Sequence, residues 1–190
     1  CERIDWAFDL YKHLYPVKLL GFPECSITGY WPNNMKQHRV LAETVPGEAT
    51  DKIGEKAKQY NCYVEPGTII EIDPEWPYAV FDSTAPLIGP NGKVIMKYRK
   101  VHGWIPYEFG TSPQDLIPLG YKDPLFPVAK TPIGNIGIYT CHDGMSPEPA
   151  RQVAYNGAEI LVHPTMLCDP WVMAPLDVWE LQCRWHSMTN

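Results

Sequence analysis

The sequence predicts an α/β domain in which helices and strands pack in layers. Short apolar runs of strand length alternate with amphipathic helical segments along the chain. Two pairs of strands are joined closely enough to form antiparallel hairpins, so a purely parallel sheet is not expected. The 190 residues, 45 % of them hydrophobic, suffice for one core, and we assign residues 1–190 to a single domain.

The first third of the chain is predicted to hold two helices and a strand. Apolar residues recur on one helical face over 2–14, and Pro16 ends this helix. Residues 17–22 form a short apolar strand. After a loop rich in Pro and Asn around 31–34, Thr50 caps a polar helix that runs to about Tyr60.

The middle of the chain is predicted to be mostly strand. Residues 62–72 form a strand that is interrupted at Glu65-Pro66-Gly67, which indicates a bulge or an edge position. The runs 78–88 and 93–98 flank Pro90-Asn91-Gly92, and this turn sequence predicts a hairpin.

The last third is predicted to contain a second hairpin, two helices and a strand. The apolar runs 125–131 and 133–140 form the hairpin. A helix over 146–156 ends at Gly157, a buried strand follows over 159–163, and the last helix follows Pro175. Because the chain starts and ends inside helical patterns, we expect a partial chain.

Composition excludes several classes of partner. The net charge is −6 and no basic run occurs, so neither a nucleic acid nor an anionic membrane surface is an expected partner. No stretch approaches the roughly 20 apolar residues of a spanning helix. Six cysteines lie scattered without a CxxC pair, which favours free thiols and a cytoplasmic location.

Three residues with reactive side chains follow strand ends. Cys141 comes directly after the run 133–140 and opens a helical segment, whose free N–H groups favour the thiolate. Glu24 and Lys100 follow two other strands, and sites in α/β sheets gather at such ends. Together the three suit covalent amide hydrolysis. Taken singly, they would be an inert core thiol, a capping carboxylate and a surface lysine.

Motifs around these residues resemble a known family. Three of them match, in this order, the nitrilase superfamily of carbon–nitrogen hydrolases: Phe22-Pro23-Glu24, Tyr98-Arg99-Lys100 and Cys141-His142-Asp143-Gly144. Trp104, Pro106 and Glu108 also resemble the corresponding stretch of aliphatic amidases and formamidases. Nitrilases proper usually carry Trp-Glu after the nucleophile, so the sequence after Cys141 favours an amide substrate over a nitrile.

The resemblance implies a four-layer α-β-β-α sandwich that assembles into a homodimer or higher homo-oligomer. Against that fold the chain is apparently partial at both ends, without the first strand and the C-terminal strands. The implied activity is hydrolysis of a short aliphatic amide, with formamide as one candidate. We expect neither a metal nor an organic cofactor, because thiol, carboxylate and ammonium supply nucleophile, base and electrophile.

The resemblance also implies roles for individual residues. Cys141 is the nucleophile, Glu24 the general base, and Lys100 stabilises the oxyanion together with the backbone N–H of His142. Glu108 holds the substrate nitrogen and orients Lys100, and an ordinary loop carboxylate is the alternative.

Residues near these four are candidates for binding the substrate. Trp104 and Tyr107 are expected to wall a small pocket, as are Tyr30 and Trp171, and core packing is the alternative for each aromatic side chain. His142 is expected to line the pocket or to supply only its backbone. A metal role for His142 and Asp143 is the weaker interpretation, because Asp143 is explained by holding the turn.

Two alternatives to an amidase stay open. The first is an N-carbamoyl hydrolase or a nitrilase of the same superfamily, and the second is a non-catalytic assembly or binding module. A carbamoyl substrate usually requires an arginine, for which Arg99, Arg151 and Arg184 are nearest to the motifs. Cys25 beside Glu24 and the loop over 110–124 depart from the amidase pattern. A disulfide between Cys25 and Cys141 is a further hypothesis.

Overall fold

The computed structural model describes residues 1–11, 13–29, 34–105, 107–166 and 177–190. They form five α-helices and eight strands, in the chain order α1 (Glu2–Tyr11), β1 (Leu19–Gly21), α2 (Met35–Leu41), α3 (Glu48–Tyr60), β2 (Tyr63–Glu65), β3 (Ile69–Glu71), β4 (Phe81–Ile88), β5 (Val94–Arg99), β6 (Val128–Ala129), β7 (Ile136–Ile138), α4 (Pro147–Tyr155), β8 (Ile160–Val162) and α5 (Val178–Thr189). Two 3-10 helices, Pro113–Leu119 and Cys141–Met145, lie among them.

The strands form two sheets. In the first sheet β1 is parallel to β2, while β2 and β3 both pair with one edge of β4 and β5 pairs with the other. The break between β2 and β3 is the predicted interruption at residues 65–67. In the second sheet β7 lies between antiparallel β6 and parallel β8. Both predicted hairpins are therefore confirmed.

Helices cover the outer faces of the two sheets. One apolar cluster joins α1 and α3 to the first sheet through Phe8, Ile53 and Val64. A larger cluster fills the space between the sheets, where Leu87 and Tyr98 meet Ile136 and Ile138. On the far side α4 packs on β7, where Gly137 lacks the Cβ that would lie 2.1 Å from Val153. The resulting order of layers is α-β-β-α, as predicted.

Some elements differ from the prediction. Helix α2 is not among the predicted elements, because its sequence has little apolar periodicity. Asn34 caps it by accepting the N–H groups of Lys36 and Gln37. Thr50 is not the N-cap of α3: that residue is Gly47, whose N–H donates to the Thr50 hydroxyl (2.8 Å). Strand β8 is half-buried instead of buried. No helix among the described residues is long and apolar enough to cross a membrane.

Glu65 is fully buried at the end of β2. Its Oε1 accepts the N–H of Gly67 (2.9 Å), whereas Oε2 has no hydrogen-bond partner in the described structure. Burial raises the pKa of Glu65 to about 8, from an ordinary value of 4.5. Between these two pH values the folded protein holds a proton that the unfolded chain has released, so folding loses free energy as the pH rises.

We therefore expect Glu65→Gln to remove part of the alkaline destabilisation. The gain in unfolding free energy over the wild type should be small at pH 5 and should grow towards pH 9, with an upper bound of roughly 5 kcal/mol from the size of the shift. Urea unfolding of the wild type and of Glu65→Gln at pH 5 and pH 9 measures this difference in unfolding free energy. An equal pH dependence in both proteins would show that Glu65 is ionised in the folded state.

Candidate active site

Two of the predicted site carboxylates bind the Lys100 ammonium, and Cys141 lies in the same buried site. Lys100 Nζ donates to Glu24 Oε1 (2.9 Å) and to Glu108 Oε1 (2.8 Å). Exposure is 2 % for Glu24, 7 % for Lys100, 9 % for Glu108 and 6 % for Cys141. The charge of Glu24 and its hydrogen bonding both act on the Cys141 thiol, so thiol, carboxylate and ammonium share one buried site.

Glu24 lies just beyond β1 and is held from three sides. Besides Lys100, its Oε1 accepts the Ser83 hydroxyl (3.2 Å), and its Oε2 accepts the N–H of Met166 (3.2 Å). These three contacts, and not a helix or turn cap, hold the Glu24 carboxylate in place. Met166 also contacts the nucleophile, since its carbonyl oxygen lies 3.9 Å from Cys141 Sγ. The chain at Met166 thus borders both the base and the thiol.

Gly67 supports the backbone that carries Glu24. Its φ of +81° lies in the left-handed region, and a Cβ there would stand 2.1 Å from the carbonyl oxygen of Pro23. Real Cβ atoms do not approach a backbone oxygen so closely. A side chain at position 67 would therefore displace the chain next to Glu24.

We expect Gly67→Ala to lower both stability and activity. The clash adds to the backbone strain, so the loss of unfolding free energy should exceed about 1 kcal/mol. Gly29→Ala is the matched control, because Gly29 has a φ of +75° with no atom within 4 Å of its Cβ position. Urea unfolding compares the two variants. Equal losses in both would show that strain alone acts and that contact with Pro23 does not.

Cys141 occupies a strained turn after β7. The helical segment that the sequence predicts after Cys141 is a 3-10 helix over Cys141–Met145, and Cys141 itself has a φ of +47°. Its N–H donates to the carbonyl of Pro164 (3.0 Å) and its own carbonyl accepts His163 Nε2 (3.0 Å). Contacts on both sides of the peptide hold a backbone conformation that is unfavourable for a residue with a side chain.

Asp143 holds the turn from inside, as its sequence position suggests. Its buried carboxylate accepts the Tyr98 hydroxyl (2.6 Å) and the N–H of Thr140 (3.2 Å). It also accepts the backbone N–H of His102 (2.9 Å) and contacts the His102 ring (3.0 Å). Asp143 therefore joins the nucleophile turn to the chain directly after Lys100.

Two histidines that sequence reasoning did not select also hold this turn. His163 Nε2 donates to the Cys141 carbonyl and His186 Nε2 to the Gly144 carbonyl (2.9 Å). Burial lowers the pKa of His163 to about 3, so the ring is neutral. Gly144 lies against the same ring, because a Cβ there would be 2.3 Å from His163 Cε1. No spacing in the sequence connects these positions, which only the fold brings together.

Burial decides the protonation state of the nucleophile. It raises the pKa of the Cys141 thiol well above its ordinary value; Lys100 opposes this rise and Glu24 adds to it. The expectation that the helix start favours the thiolate is therefore wrong for the free site. For Lys100, burial lowers the pKa, but Glu24, Cys141 and Glu108 raise it more, so the ammonium stays charged.

Glu108 is connected to the candidate substrate-binding residues. Burial raises its pKa, while Lys100 opposes that shift. Its Oε2 accepts the backbone N–H of Trp104, whose ring lies 4.6 Å from the ring of the half-exposed Tyr107. His142 lines a cavity of about 440 Å³ together with Lys100 and Glu108. Tyr30, Pro106 and Trp171, which the sequence also places here, lie outside the described residues.

The remaining sequence candidates have structural partners. Arg99 is buried against Glu71 and Asp73, and it lies 4.0 Å above the Phe81 ring. Residues 110–124 contain the 3-10 helix Pro113–Leu119, which packs near the start of β4. Burial raises the pKa of Cys25 to about 12, so it is a thiol at neutral pH. A disulfide from Cys25 to Cys141 stays a prediction.

In the part of the chain that the structure describes, no group of three or more His, Cys, Asp or Glu side chains is arranged to hold a metal ion. The thiols of Cys1, Cys25, Cys62, Cys141 and Cys183 are free. The acidic groups of the site instead converge on the Lys100 ammonium, which supplies the positive charge between Glu24 and Glu108.

Known proteins share this arrangement of elements. The structure superposes on Nit3 of Saccharomyces cerevisiae, a member of branch 10 of the nitrilase superfamily, with a TM-score of 0.74 and 23 % identity over 97 % of this chain and 63 % of that one. An amidase from Nesterenkonia sp. gives 0.67 and 20 % identity, over 97 % and 64 %. At these identities the likeness shows the fold.

Comparison with curated protein sequences identifies relatives with higher sequence identity. A formamidase of Bacillus cereus is 35 % identical over 170 residues, which are 85 % of this chain and 47 % of that protein. A formamidase of Bacillus anthracis is 35 % identical over 167 residues, 84 % and 46 %. The chain thus spans about half the length of the curated relatives it matches. The carbon-nitrogen hydrolase family model matches residues 3–189. With this match, and with the order of layers and the site described above, the chain belongs to the carbon–nitrogen hydrolase family.

Proposed function

We propose that the protein is a cysteine-dependent amidase that converts short aliphatic amides, formamide among them, to a carboxylic acid and ammonia. One observation carries this proposal: the buried Lys100 ammonium bridges two carboxylates beside a buried thiol. A structural ion pair needs no nucleophile in contact with it. Formamidases at 35 % identity support an amide as the substrate.

The first half-reaction forms a thioester. Because burial keeps Cys141 protonated, the thiol cannot attack without a base. Glu24 takes the thiol proton while Sγ bonds to the carbonyl carbon of the amide. The proton then passes to the amide nitrogen, the carbon–nitrogen bond breaks, and ammonia leaves.

The second half-reaction releases the acid. Glu24 takes a proton from water, and the resulting hydroxide attacks the thioester carbonyl. The tetrahedral intermediate collapses with cleavage of the carbon–sulfur bond, and the proton returns to Sγ. The net reaction consumes one water and yields the carboxylic acid and free Cys141.

Lys100 and the backbone of His142 are the proposed oxyanion donors in both halves. The first N–H groups of a 3-10 helix have no partner within the helix, and His142 belongs to that first turn. Lys100 keeps its charge because Glu24 and Glu108 surround it. Preorganised donors of this kind stabilise the developing negative charge without reorganisation.

Glu108, Trp104, Tyr107 and His142 are the proposed contacts of the substrate. Glu108 Oε1 is bound to Lys100, and its position next to the ammonium suits acceptance of an N–H from the amide nitrogen. A carbamoyl acid is less suited, because Arg99 is already bound by Glu71 and Asp73. Arg184 pairs with Glu180 on the exposed face of α5.

Ammonia release from formamide, acetamide, propionamide and N-carbamoyl glycine tests the proposal. We expect turnover of one or more simple amides. Turnover of the carbamoyl compound alone would retain the mechanism and replace the substrate class. A folded protein that releases no ammonia from any of the four compounds would favour the non-catalytic binding module.

We also propose that the protein assembles into a homodimer or higher homo-oligomer in the cytoplasm. Leu181, Trp185 and Met188 are exposed on α5, and apolar side chains grouped on one helix favour a protein contact. Analytical ultracentrifugation of the wild type and of Trp185→Glu measures the assembly. A monomeric wild type at micromolar concentration would contradict the proposal.

A further inference from the structure

The start of β4 carries a second buried carboxylate close to the candidate site. Asp82 precedes Ser83, whose hydroxyl donates to Glu24 and whose carbonyl accepts the backbone N–H of Lys100 (3.0 Å). The Asp82 side chain is only 10 % exposed and its Oδ1 lies 2.8 Å from Nδ1 of the buried His38 on α2. A buried carboxylate next to Ser83, which binds both Glu24 and Lys100, needs its own explanation.

The second oxygen of Asp82 binds the loop that carries Glu108. Asp82 Oδ2 accepts the N–H of Gly110, two residues after Glu108. Gly110 also lies directly against this carboxylate, since a Cβ at that position would be 2.4 Å from Asp82 Oδ1. The next residue, Thr111, donates its N–H to the Val80 carbonyl (2.7 Å). The C-terminal side of the Glu108 loop is thus attached to the start of β4.

His38 completes this attachment from the other side. Its ring makes an edge-to-face contact with Phe109, with ring centroids 6.0 Å apart, while its Nδ1 holds Asp82. Phe109 lies between Glu108 and Gly110 in the chain. The pair therefore contacts both residues that directly follow Glu108.

We propose that His38 and Asp82 are a positioning pair that holds Glu108 against Lys100. This inference rests on the proposed amidase function for its effect on rate, but the geometry of the attachment does not depend on the substrate. Asp82 lines the same cavity as Lys100 and Glu108, but the proposed reaction assigns no step to Asp82 or to His38. They affect the rate by fixing the position of Glu108. Displacement of a catalytic group by about 1 Å costs on the order of a hundredfold in rate.

Asp82→Ala, studied alone and combined with Glu108→Gln, tests the proposal. We expect kcat on the best amide to fall about tenfold to a hundredfold, with little change in KM. In the Glu108→Gln background, Asp82→Ala should lower kcat by less than about threefold, because the carboxylate that Asp82 positions is already absent. Asp82→Asn keeps an acceptor for Gly110 and should restore most of kcat.

Asp5→Ala is the matched control. Asp5 binds Lys56 (2.8 Å) and Tyr60 (2.6 Å) between α1 and α3, so its loss removes a carboxylate attachment without reaching the site. It should leave kcat unchanged. If Asp82→Ala does not fold, His38→Gln replaces it, with a loss of about tenfold expected. Equal losses in both Glu108 backgrounds, or none in either, would overturn the proposal.

Hydrogen exchange supplies a test that needs no substrate. The backbone N–H of Trp104 donates to Glu108 Oε2, so loosening Glu108 should speed exchange at Trp104 in Asp82→Ala but not in Asp5→Ala. If the protein hydrolyses no amide, the proposed function fails while this measurement still decides the positioning. Unchanged exchange at Trp104 would overturn the positioning pair whatever the activity.

Discussion

Cys141→Ala is expected to lower kcat for amide hydrolysis by at least about 10⁴-fold, to the background of the assay. No thioester forms without Sγ, and a water molecule in its place would have to attack the unactivated amide directly. The measurement is ammonia release at saturating substrate. The fold should be kept, because the turn is held by Asp143, His163 and Pro164 through groups other than the thiol.

Cys25→Ala is the control for Cys141→Ala. Cys25 follows Glu24 directly and hydrogen-bonds Thr68, so it is a second thiol close to the site, half-buried where Cys141 is buried. Its loss should change kcat by less than about threefold, since the proposed reaction assigns it no step. Mass spectrometry after a quench with excess substrate should show an acyl adduct on Cys141. An adduct on Cys25 would reassign the nucleophile.

Lys100→Met is expected to lower kcat by at least about 10³-fold and to destabilise the fold. Removal of one oxyanion donor costs about 10²–10³ in rate, and the change also takes away the charge that holds Glu24 and Glu108. Two buried carboxylates then face each other without a countercharge. Breaking a buried pair in this way typically costs about 3–5 kcal/mol.

Lys97→Met separates the catalytic from the structural effect. Lys97 lies on β5 three residues before Lys100 and binds Glu71 (2.6 Å), which Arg99 continues to pair in the variant. Its loss should lower stability slightly and leave kcat within about threefold. Urea unfolding and kinetics are measured on both variants. Equal kcat values for Lys97→Met and Lys100→Met would remove Lys100 from the mechanism.

Local sequence patterns were sufficient for most of the elements. The turn at Pro90-Asn91-Gly92 predicts a hairpin, and β4 and β5 pair on either side of it, with a positive φ at Gly92. Strand and turn chemistry act over a few residues and can therefore be recognised in the sequence. Helix α2 was not predicted, because a seven-residue helix has too few turns for a periodic pattern of apolar residues to be recognised.

Only those site residues that stand in a recognisable sequence motif could be predicted. Glu24, Lys100, Glu108 and Cys141 each stand in a recognisable local pattern, and the structure brings all four together. The protonation of Cys141 was predicted wrongly, because the helix start is visible in the sequence whereas the burial that outweighs it is not.

The sequence by itself therefore determined the type of each reactive group, its place at a strand end and the family to which the chain belongs. Only the tertiary structure decided what holds those groups: Asp143 and His163 around the nucleophile, and Asp82 with His38 behind Glu108. These contacts join residues that are tens of positions apart in the chain. Their energies depend on burial and distance, which are properties of the packed sheets and not of any local segment.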